Sequence, residues 1–435
     1  MSLSSSLSRA LILLLLAALA PAQSYEDLFT QAGALSARGD YSGAIGKFRE
    51  ALKLRPGATE AVSNLGVMYH MAGRYAEAVE TLGPAAGQNP DLFPARLILG
   101  LDLIHLQRFT EAIPNLEAAR RLDQSSSEAV YGLAAAYLGA DKLQLAADLY
   151  EERTKGAPGE ADGWYGLGLC YERMAEAASR RLARTAGGAA LDKQFLSEFL
   201  IDRGENRLAE EALREAVALR REEMAPAAQA AYQQARALAE RSRAAFTHLL
   251  EVAPDAWQSR LFLGDLNRQQ RHFDEAIRDY EAVEKGQPAN LAPAIGLATV
   301  YWELGQFEKA EEYLQRVLAA NPKATQALFQ LGNIRVRQRR EDEAIPLLKE
   351  YLRQQPDSLF ACADLGKAYF HAGKYGEAVP YLQKARPIDE KGDLHYQLAT
   401  ALRALDRPKE ARAALTVSAE LRKRSLARDL RLKQP

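Results

Sequence analysis

From residue 25 onward, apolar residues recur three or four positions apart, the spacing that places them on one face of an α-helix. Prolines end many of these segments, and they are regularly spaced: Pro56, Pro90, Pro158, Pro254, Pro288, Pro322 and Pro356. The successive intervals are 34, 68, 96, 34, 34 and 34, so all but one are 34 or twice 34. The pattern therefore predicts a helical chain built from one repeated unit, with a period in the range typical of helical repeat proteins.

Other residue types recur at fixed places inside this unit. A Leu-Gly dipeptide stands at 65–66, 99–100, 167–168, 263–264, 331–332 and 365–366. An aromatic residue follows the glycine by three positions at Tyr69, Tyr171 and Tyr369. Glycines such as Gly39 and Gly73 then precede a second apolar segment. We interpret each unit as two helices, A and B, joined by a glycine turn, with the small residue of helix A allowing helix B to approach closely.

This pattern resembles the tetratricopeptide repeat, and the chain resembles an exported bacterial member of that superfamily. Residues 164–171, Trp-Tyr-Gly-Leu-Gly-Leu-Cys-Tyr, match the opening of the family pattern, W-x2-L-G-x2-Y, without a mismatch. The resemblance implies an all-α fold, an α–α superhelical solenoid of about nine to eleven helix-turn-helix repeats. Neighbouring repeats must stack because one repeat cannot bury its own apolar face.

The register of the repeats predicts how the chain is divided. Regular repeats are expected at 25–58, 59–92, 93–126, 127–160, 257–290, 291–324, 325–358, 359–391 and 392–425. The predicted domains are a signal peptide at 1–22, an N-terminal array at 23–160, an irregular helical segment at 161–256, a C-terminal array at 257–425 and a basic tail at 426–435.

The irregular segment corresponds to the proline interval of 96, which equals two repeats with a remainder of 28. A helix is expected from Trp164 to about Ala186, then a degenerate repeat, then a long helix from Pro226 to Pro254. Two interpretations stay open. The segment is either an insertion that only kinks the superhelix or a specialised docking or dimerising element.

Residues 1–22 have the pattern of a cleaved signal peptide. Residues 10–20 are uninterruptedly apolar, Arg9 precedes them, and Ala20-Pro21-Ala22 is a small-x-small cleavage site. As a helix this run spans about 16 Å, well short of a hydrocarbon core of about 30 Å. An uncleaved apolar N-terminus is the alternative. We expect no transmembrane segment in the mature chain and a periplasmic or extracellular location.

Composition and charge narrow the function classes. Lys and Arg total 56 against 57 for Asp and Glu, so nothing favours nucleic acid as a partner. No two of the six histidines stand three or four positions apart, and no common catalytic or nucleotide-binding motif is present outside the repeats. We therefore expect no enzyme activity, metal or cofactor. Cys170 and Cys362 lie in distant repeats and are expected to be buried, unpaired thiols.

The C-terminal segment 421–433 combines leucines with six basic residues and one acid, a local net charge of +5. A polar capping helix for the last repeat is one interpretation. A weak contact of the basic tail with an anionic surface is the other.

The resemblance implies a non-catalytic scaffold that binds a peptide or partner protein, of unknown identity, in a concave groove lined by the A helices. With the export signal, this predicts a scaffold of the cell envelope. An accessory subunit of an envelope enzyme or of a secretion or outer-membrane assembly complex is the alternative, and a self-associating solenoid is a third hypothesis.

By the same resemblance, positions two, five, nine and twelve of helix A face the groove. In the second array the candidate residues are Arg268, Trp302, Phe329, Asn333, Lys367, Phe370 and Tyr396. Because the first array offers only Phe29, Asn64 and Tyr131 at comparable positions, the second array is expected to hold the partner. The alternative is that some of these aromatic residues pack between successive A helices.

Export with cleavage gives a direct prediction. N-terminal sequencing of the protein from its native host should begin at Gln23. Recovery of a chain that retains Met1 in the cytoplasm would contradict it.

Overall fold

The computed structural model describes residues 23–185, 188–202, six separate positions between 209 and 219, and 226–432. The predicted signal peptide lies outside the described residues, as do most of the degenerate repeat and residues 433–435 of the basic tail. Every regular element in the described part of the chain is helical. This confirms the all-α solenoid built from helix-turn-helix repeats.

The first compact unit contains α1 to α9, α11 and α10 as far as Phe199. Its helices are α1 Tyr25–Ala37, α2 Tyr41–Leu54, α3 Thr59–Met71, α4 Tyr75–Gln88, α5 Phe93–His105, α6 Phe109–Leu122, α7 Ser127–Gly139, α8 Leu143–Gly156, α9 Ala161–Ala183, α10 Ala189–Asp202 and α11 Pro226–Val252. The first eight helices form four A–B pairs at the predicted repeat boundaries.

The second compact unit contains α12 to α21. Its helices are α12 Trp257–Gln269, α13 Phe273–Gly286, α14 Ala292–Glu303, α15 Phe307–Ala320, α16 Thr325–Arg337, α17 Glu341–Gln354, α18 Leu359–His371, α19 Tyr375–Lys384, α20 Asp393–Ala404 and α21 Pro408–Leu432. These helices form five A–B pairs, with a short 3-10 helix at Arg386–Ile388, and the last B helix continues past residue 425 into the segment predicted to be a basic tail.

Helices A and B of a repeat come closest at the small residue of helix A. A Cβ atom added to Gly66 would lie 2.3 Å from Cγ of Leu82, and one added to Gly100 would lie 2.4 Å from Cγ of Leu116. Both leucines are fully buried in helix B of the same repeat. The glycine is therefore required because the leucine occupies the space that a larger residue would need.

The turn between helices A and B contains a residue with positive φ. Gly39, Gly73, Gly305 and Gly373 have φ between 70° and 76°. In five other turns a residue with a side chain takes this conformation, at Gln107, Asp141, Arg271, Arg339 and Asp406. The turn geometry is thus kept even where the sequence lacks the glycine that favours it.

The irregular segment is one repeat with an insertion between its helices, and not the predicted two repeats with a remainder of 28 residues. Helices α9 and α11 pack together as the A and B helices of one repeat: Oγ of Ser242 donates to the carbonyl oxygen of Gly168 over 3.0 Å, and a Cβ on Gly168 would lie 2.8 Å from the ring of Phe246. In the regular repeats the corresponding residues, such as Gly66 and Leu82, are 16 positions apart. Here they are 78 apart, so the insertion adds 62 to the usual spacing.

The insertion lengthens both helices beyond their usual ends. Helix α9 has 23 residues and α11 has 27, where the regular A and B helices α3 and α4 have 13 and 14. Ala175, Ala178 and Leu182 of α9 are buried in one hydrophobic cluster with Ala228 and Ala235 of α11. The inserted helix α10 contributes a buried aromatic ring, from position 195, to the same cluster. The inserted helices therefore extend the core of the first unit.

The close approach of helices A and B predicts the effect of two glycine substitutions. Gly100→Ala should lower the free energy of unfolding by about 1–3 kcal/mol, because the buried Leu116 leaves no space for the methyl group. Gly33→Ala is the matched control, since nothing lies within 4 Å of its added Cβ, and it should be neutral or stabilising by up to about 1 kcal/mol. Urea unfolding followed by circular dichroism measures both, and equal effects would contradict the interpretation.

The second unit should fold without the first. A fragment of residues 255–435 contains all ten helices of that unit and should give a helical circular dichroism spectrum and a cooperative melt. A fragment of residues 273–435 lacks α12 and should melt at a lower temperature, because Tyr280 loses its contact with Gly264. A 255–435 fragment without helical signal would refute the prediction.

Candidate functional site

Each A helix leaves one stripe of side chains accessible. In α16, counting Thr325 as position one, Gln326, Phe329, Asn333 and Arg337 are exposed or half-buried. The residues between them, including the Leu-Gly dipeptide at 331–332, are buried. The accessible stripe therefore runs through positions two, five, nine and twelve or thirteen, the face assigned to the groove from the sequence.

A chain of hydrogen bonds runs along this stripe across three repeats of the second unit. Nε1–H of Trp302 in α14 donates to Oδ1 of Asn333 in α16 over 3.1 Å. Nδ2–H of Asn333 donates to Oδ2 of Asp364 in α18 over 2.6 Å, and Nζ of Lys367 lies 3.4 Å from the other oxygen of Asp364. The structure thus brings together three of the predicted site residues, Trp302, Asn333 and Lys367, around the buried Asp364.

Charged side chains continue the stripe in both directions. Nη1 of Arg268 in α12 donates to Oε1 of Glu303 in α14 over 2.9 Å. The Arg337 guanidinium lies 5.7 Å from the ring centre of Trp302, and its Nε donates to the amide oxygen at position nine of α16 over 2.9 Å. Arg337 is exposed, whereas Val336 at position twelve is buried, so in this repeat position thirteen takes its place on the accessible stripe.

The predicted aromatic residues differ in how much they project. The ring of Phe329 packs 5.0 Å from Tyr351, and that of Phe370 packs 5.7 Å from Tyr375, in both cases against helix B of its own repeat. Tyr396 is 48% exposed, with an arginine guanidinium of α21 5.1 Å from its ring centre. Phe329 and Phe370 are therefore partly core residues. This resembles the alternative in which some candidate aromatics pack inside the protein, but both rings pack against helix B and not between successive A helices.

The sequence analysis missed one prominent residue. Phe360, at position two of α18, is 67% exposed, more than any other large apolar side chain among the described residues. Its position follows from the same rule that selected the other candidates, so the repeat register alone was enough to find it.

The cysteines and the possible metal ligands were the other candidates for chemistry in the described part of the chain. Cys170 and Cys362 are buried and unpaired, and burial raises the pKa of the Cys170 thiol to about 12. Within the described ranges, no three His, Cys, Asp or Glu side chains are placed to hold a metal ion. No described helix combines the length and the apolar character needed to cross a membrane.

Comparison of the sequence with protein families identifies tetratricopeptide repeats. The tetratricopeptide repeat pattern matches residues 29–91, 99–161, 239–290 and 295–358, which together are more than half of the chain. Further tetratricopeptide repeat patterns match 335–392 and 393–415. The chain belongs to the tetratricopeptide repeat family. The match at 239–290 begins inside α11 and so includes the B helix of the repeat that carries the insertion.

Among individual proteins, mouse tetratricopeptide repeat protein 21A is 22% identical over 129 residues, which are 30% of this chain and 10% of the mouse protein. The chain therefore spans about a tenth of that relative. MamA from Desulfovibrio magneticus RS-1 matches 39% of this chain and 97% of its own, with 22% identity and a TM-score of 0.36. Yeast Tom70 matches 91% of this chain and 92% of its own, with 15% identity and a TM-score of 0.32. The repeats indicate a protein–protein interaction scaffold.

Proposed function

We propose that the protein is an exported, non-catalytic scaffold of the cell envelope that binds a segment of a partner protein on the concave stripe of its second unit. The observation that carries this proposal is the row of aromatic and basic side chains at groove positions of α14, α16, α18 and α20. Trp, Tyr and Arg are the residue types that contribute most often to binding hot spots.

The chemistry of the stripe supports a partner segment that carries apolar side chains and a carboxylate. Phe360 and Tyr396 offer exposed rings, and large exposed apolar groups are typical of binding surfaces. Arg337 is exposed beside the indole of α14, and Lys367 is about one-third exposed although it is near Asp364. These two cations stand where an acidic group of the partner would meet them.

Export rests on the apolar run at residues 10–20 and the small-x-small site at Ala20-Pro21-Ala22. An envelope extract is therefore the source in which the partner should be sought. Affinity capture with the full mature chain should yield one stoichiometric partner. Capture of an enzyme or assembly subunit would instead support the accessory role, and capture of only the chain itself would support the self-associating solenoid.

The groove assignment predicts which substitutions weaken partner binding. The double variant Trp302→Ala, Phe329→Ala and the double variant Phe360→Ala, Tyr396→Ala should each reduce affinity by about 2–4 kcal/mol, roughly 30- to 700-fold in Kd. Val417→Ala, which shortens an exposed side chain on a B helix, is the control and should leave Kd unchanged. Titration by isothermal calorimetry measures these values.

Circular dichroism separates binding from folding in these variants. Phe360 and Tyr396 are exposed, so their variant should keep its helicity and melting temperature. If both double variants bind as tightly as the native chain, the groove assignment is wrong. Equal loss of helicity and binding in the Phe360, Tyr396 variant would also refute it.

A further inference from the structure

The concave stripe of the first unit has a different chemistry from that of the second. At position nine, the first unit has Val67, Leu101, Ala135 and Leu169 in α3, α5, α7 and α9. At the same position the second unit has Asp265, Thr299, Asn333, Lys367 and Thr400. All nine side chains are half-buried, so both sets line an accessible surface. One stripe is therefore apolar where the other is polar.

Apolar residues of α5 and α7 form the floor of this stripe. Leu97 and Ile104 accompany Leu101 on α5, and Leu138 of α7 continues the set, all half-buried against the core of the unit. Adjacent A helices are in direct contact: a Cβ on the position-six glycine of α7 would lie 2.9 Å from Cδ2 of Leu101. On the other side, Nη1 of Arg173 in α9 donates to the carbonyl oxygen of Leu138 over 2.8 Å.

One edge of this floor is acidic. At position two, α1, α3, α7 and α9 have the exposed acids Glu26, Glu60, Glu128 and Asp162, whereas α5 has a proline. Glu26 is paired over 2.7 Å with Arg55, the residue that follows α2, but no ion pair of the described residues involves Glu60 or Glu128. Position two of the second unit is acidic only at Asp393, so the acidic edge is a property of the first unit.

The kind of backbone that fits this surface follows from hydrogen bonding. An extended peptide needs partners for its N–H and C=O groups when it is covered, and an aliphatic floor offers none. An α-helix bonds its own backbone groups and presents apolar side chains three or four residues apart. Basic side chains beside that apolar face would meet the carboxylates at the edge, of which Glu60 and Glu128 have no ion pair among the described residues.

We propose that the concave face of the first unit binds an amphipathic α-helix of another protein, with an aliphatic face and Lys or Arg along its side. This rests on the proposed scaffold function and adds a second site, distinct from the second unit's stripe. The scaffold would thus hold two segments of different chemistry, one on each unit.

The test uses three labelled peptides of equal length, each about five helical turns long, and the full mature chain. The first peptide has Leu at helical spacing with Lys elsewhere, the second replaces Lys by Glu, and the third has the Leu/Lys composition in scrambled order. In fluorescence anisotropy at physiological salt, the first should bind at least tenfold more tightly than the other two. Equal affinity for the first and third, or for the first and second, would overturn the proposal.

Variants then place the bound peptide on the first unit. Leu101→Gln with Leu138→Gln should weaken the Leu/Lys peptide at least tenfold, with the melting temperature measured to confirm folding. Glu60→Gln with Glu128→Gln, both exposed, should weaken it three- to tenfold and reduce its salt dependence. Peptide binding unaffected by the leucine variants would refute the site.

A matched control for the charge variants lies on the second unit. Glu308→Gln with Glu312→Gln removes the same charge from exposed positions of α15 and should have no effect on the Leu/Lys peptide. An equal loss of affinity in this control would mean that net charge, and not the acidic edge of the first unit, attracts the peptide.

Two further measurements separate this site from the proposed function. The Phe360→Ala, Tyr396→Ala variant should bind the Leu/Lys peptide normally, even if it loses the partner captured by the second unit. Loss of both would contradict two independent sites. Sedimentation of the full chain tests whether a second copy occupies this surface. We expect no self-association. Self-association that the leucine variants abolish would assign the surface to a second copy and overturn the proposal.

Discussion

The close contact between a small residue of helix A and a large buried side chain of helix B sets the geometry within a repeat. Gly100 and Leu116 illustrate it, since the leucine fills the space that any Cβ would occupy. Because this contact fixes how the two helices cross, it also fixes which face of helix A remains for the next repeat and which face is left accessible. The accessible stripe is therefore a consequence of core packing, and its side chains are not part of that contact.

The same constraint explains how a repeat tolerates so long an insertion. The contact between Gly168 and Phe246 reproduces that between Gly66 and Leu82, although the chain between the helices is far longer. The turn between helices A and B contributes little to the packing. Its residues also vary among the repeats, since five turns have positive φ at a residue other than glycine. Lengthening the chain there costs little closure entropy, and the alanine-rich contact of α9 with α11 offsets it by burying further apolar surface.

The repeat boundaries could be predicted because each depends on local patterns: proline at the end of helix B, glycine or alanine at the crossing, and helical spacing of apolar residues. The insertion could not be assigned by length, since an interval of 96 fits two repeats plus 28 as well as one repeat plus 62. The contact of Gly168 with α11 in the structure distinguishes these two divisions of the interval. Likewise, no local sequence pattern predicts the hydrogen bond between Trp302 and Asn333 of the next repeat. Nor does such a pattern predict that Arg337 is exposed while Val336 is buried.

These inter-repeat bonds also determine what remains for a ligand. Asn333 bonds Trp302, Arg337 and Asp364: its amide oxygen accepts two hydrogen bonds and its NH2 group donates one within the protein. A ligand that competed for it would have to replace those bonds, and the net gain would be small. The exposed rings of Phe360 and Tyr396 are not part of this ladder of hydrogen bonds, so covering them with a partner would contribute to affinity directly. In the second unit, the polar ladder therefore links successive A helices, and under the proposed function the exposed rings and the cations beside them would provide the binding energy.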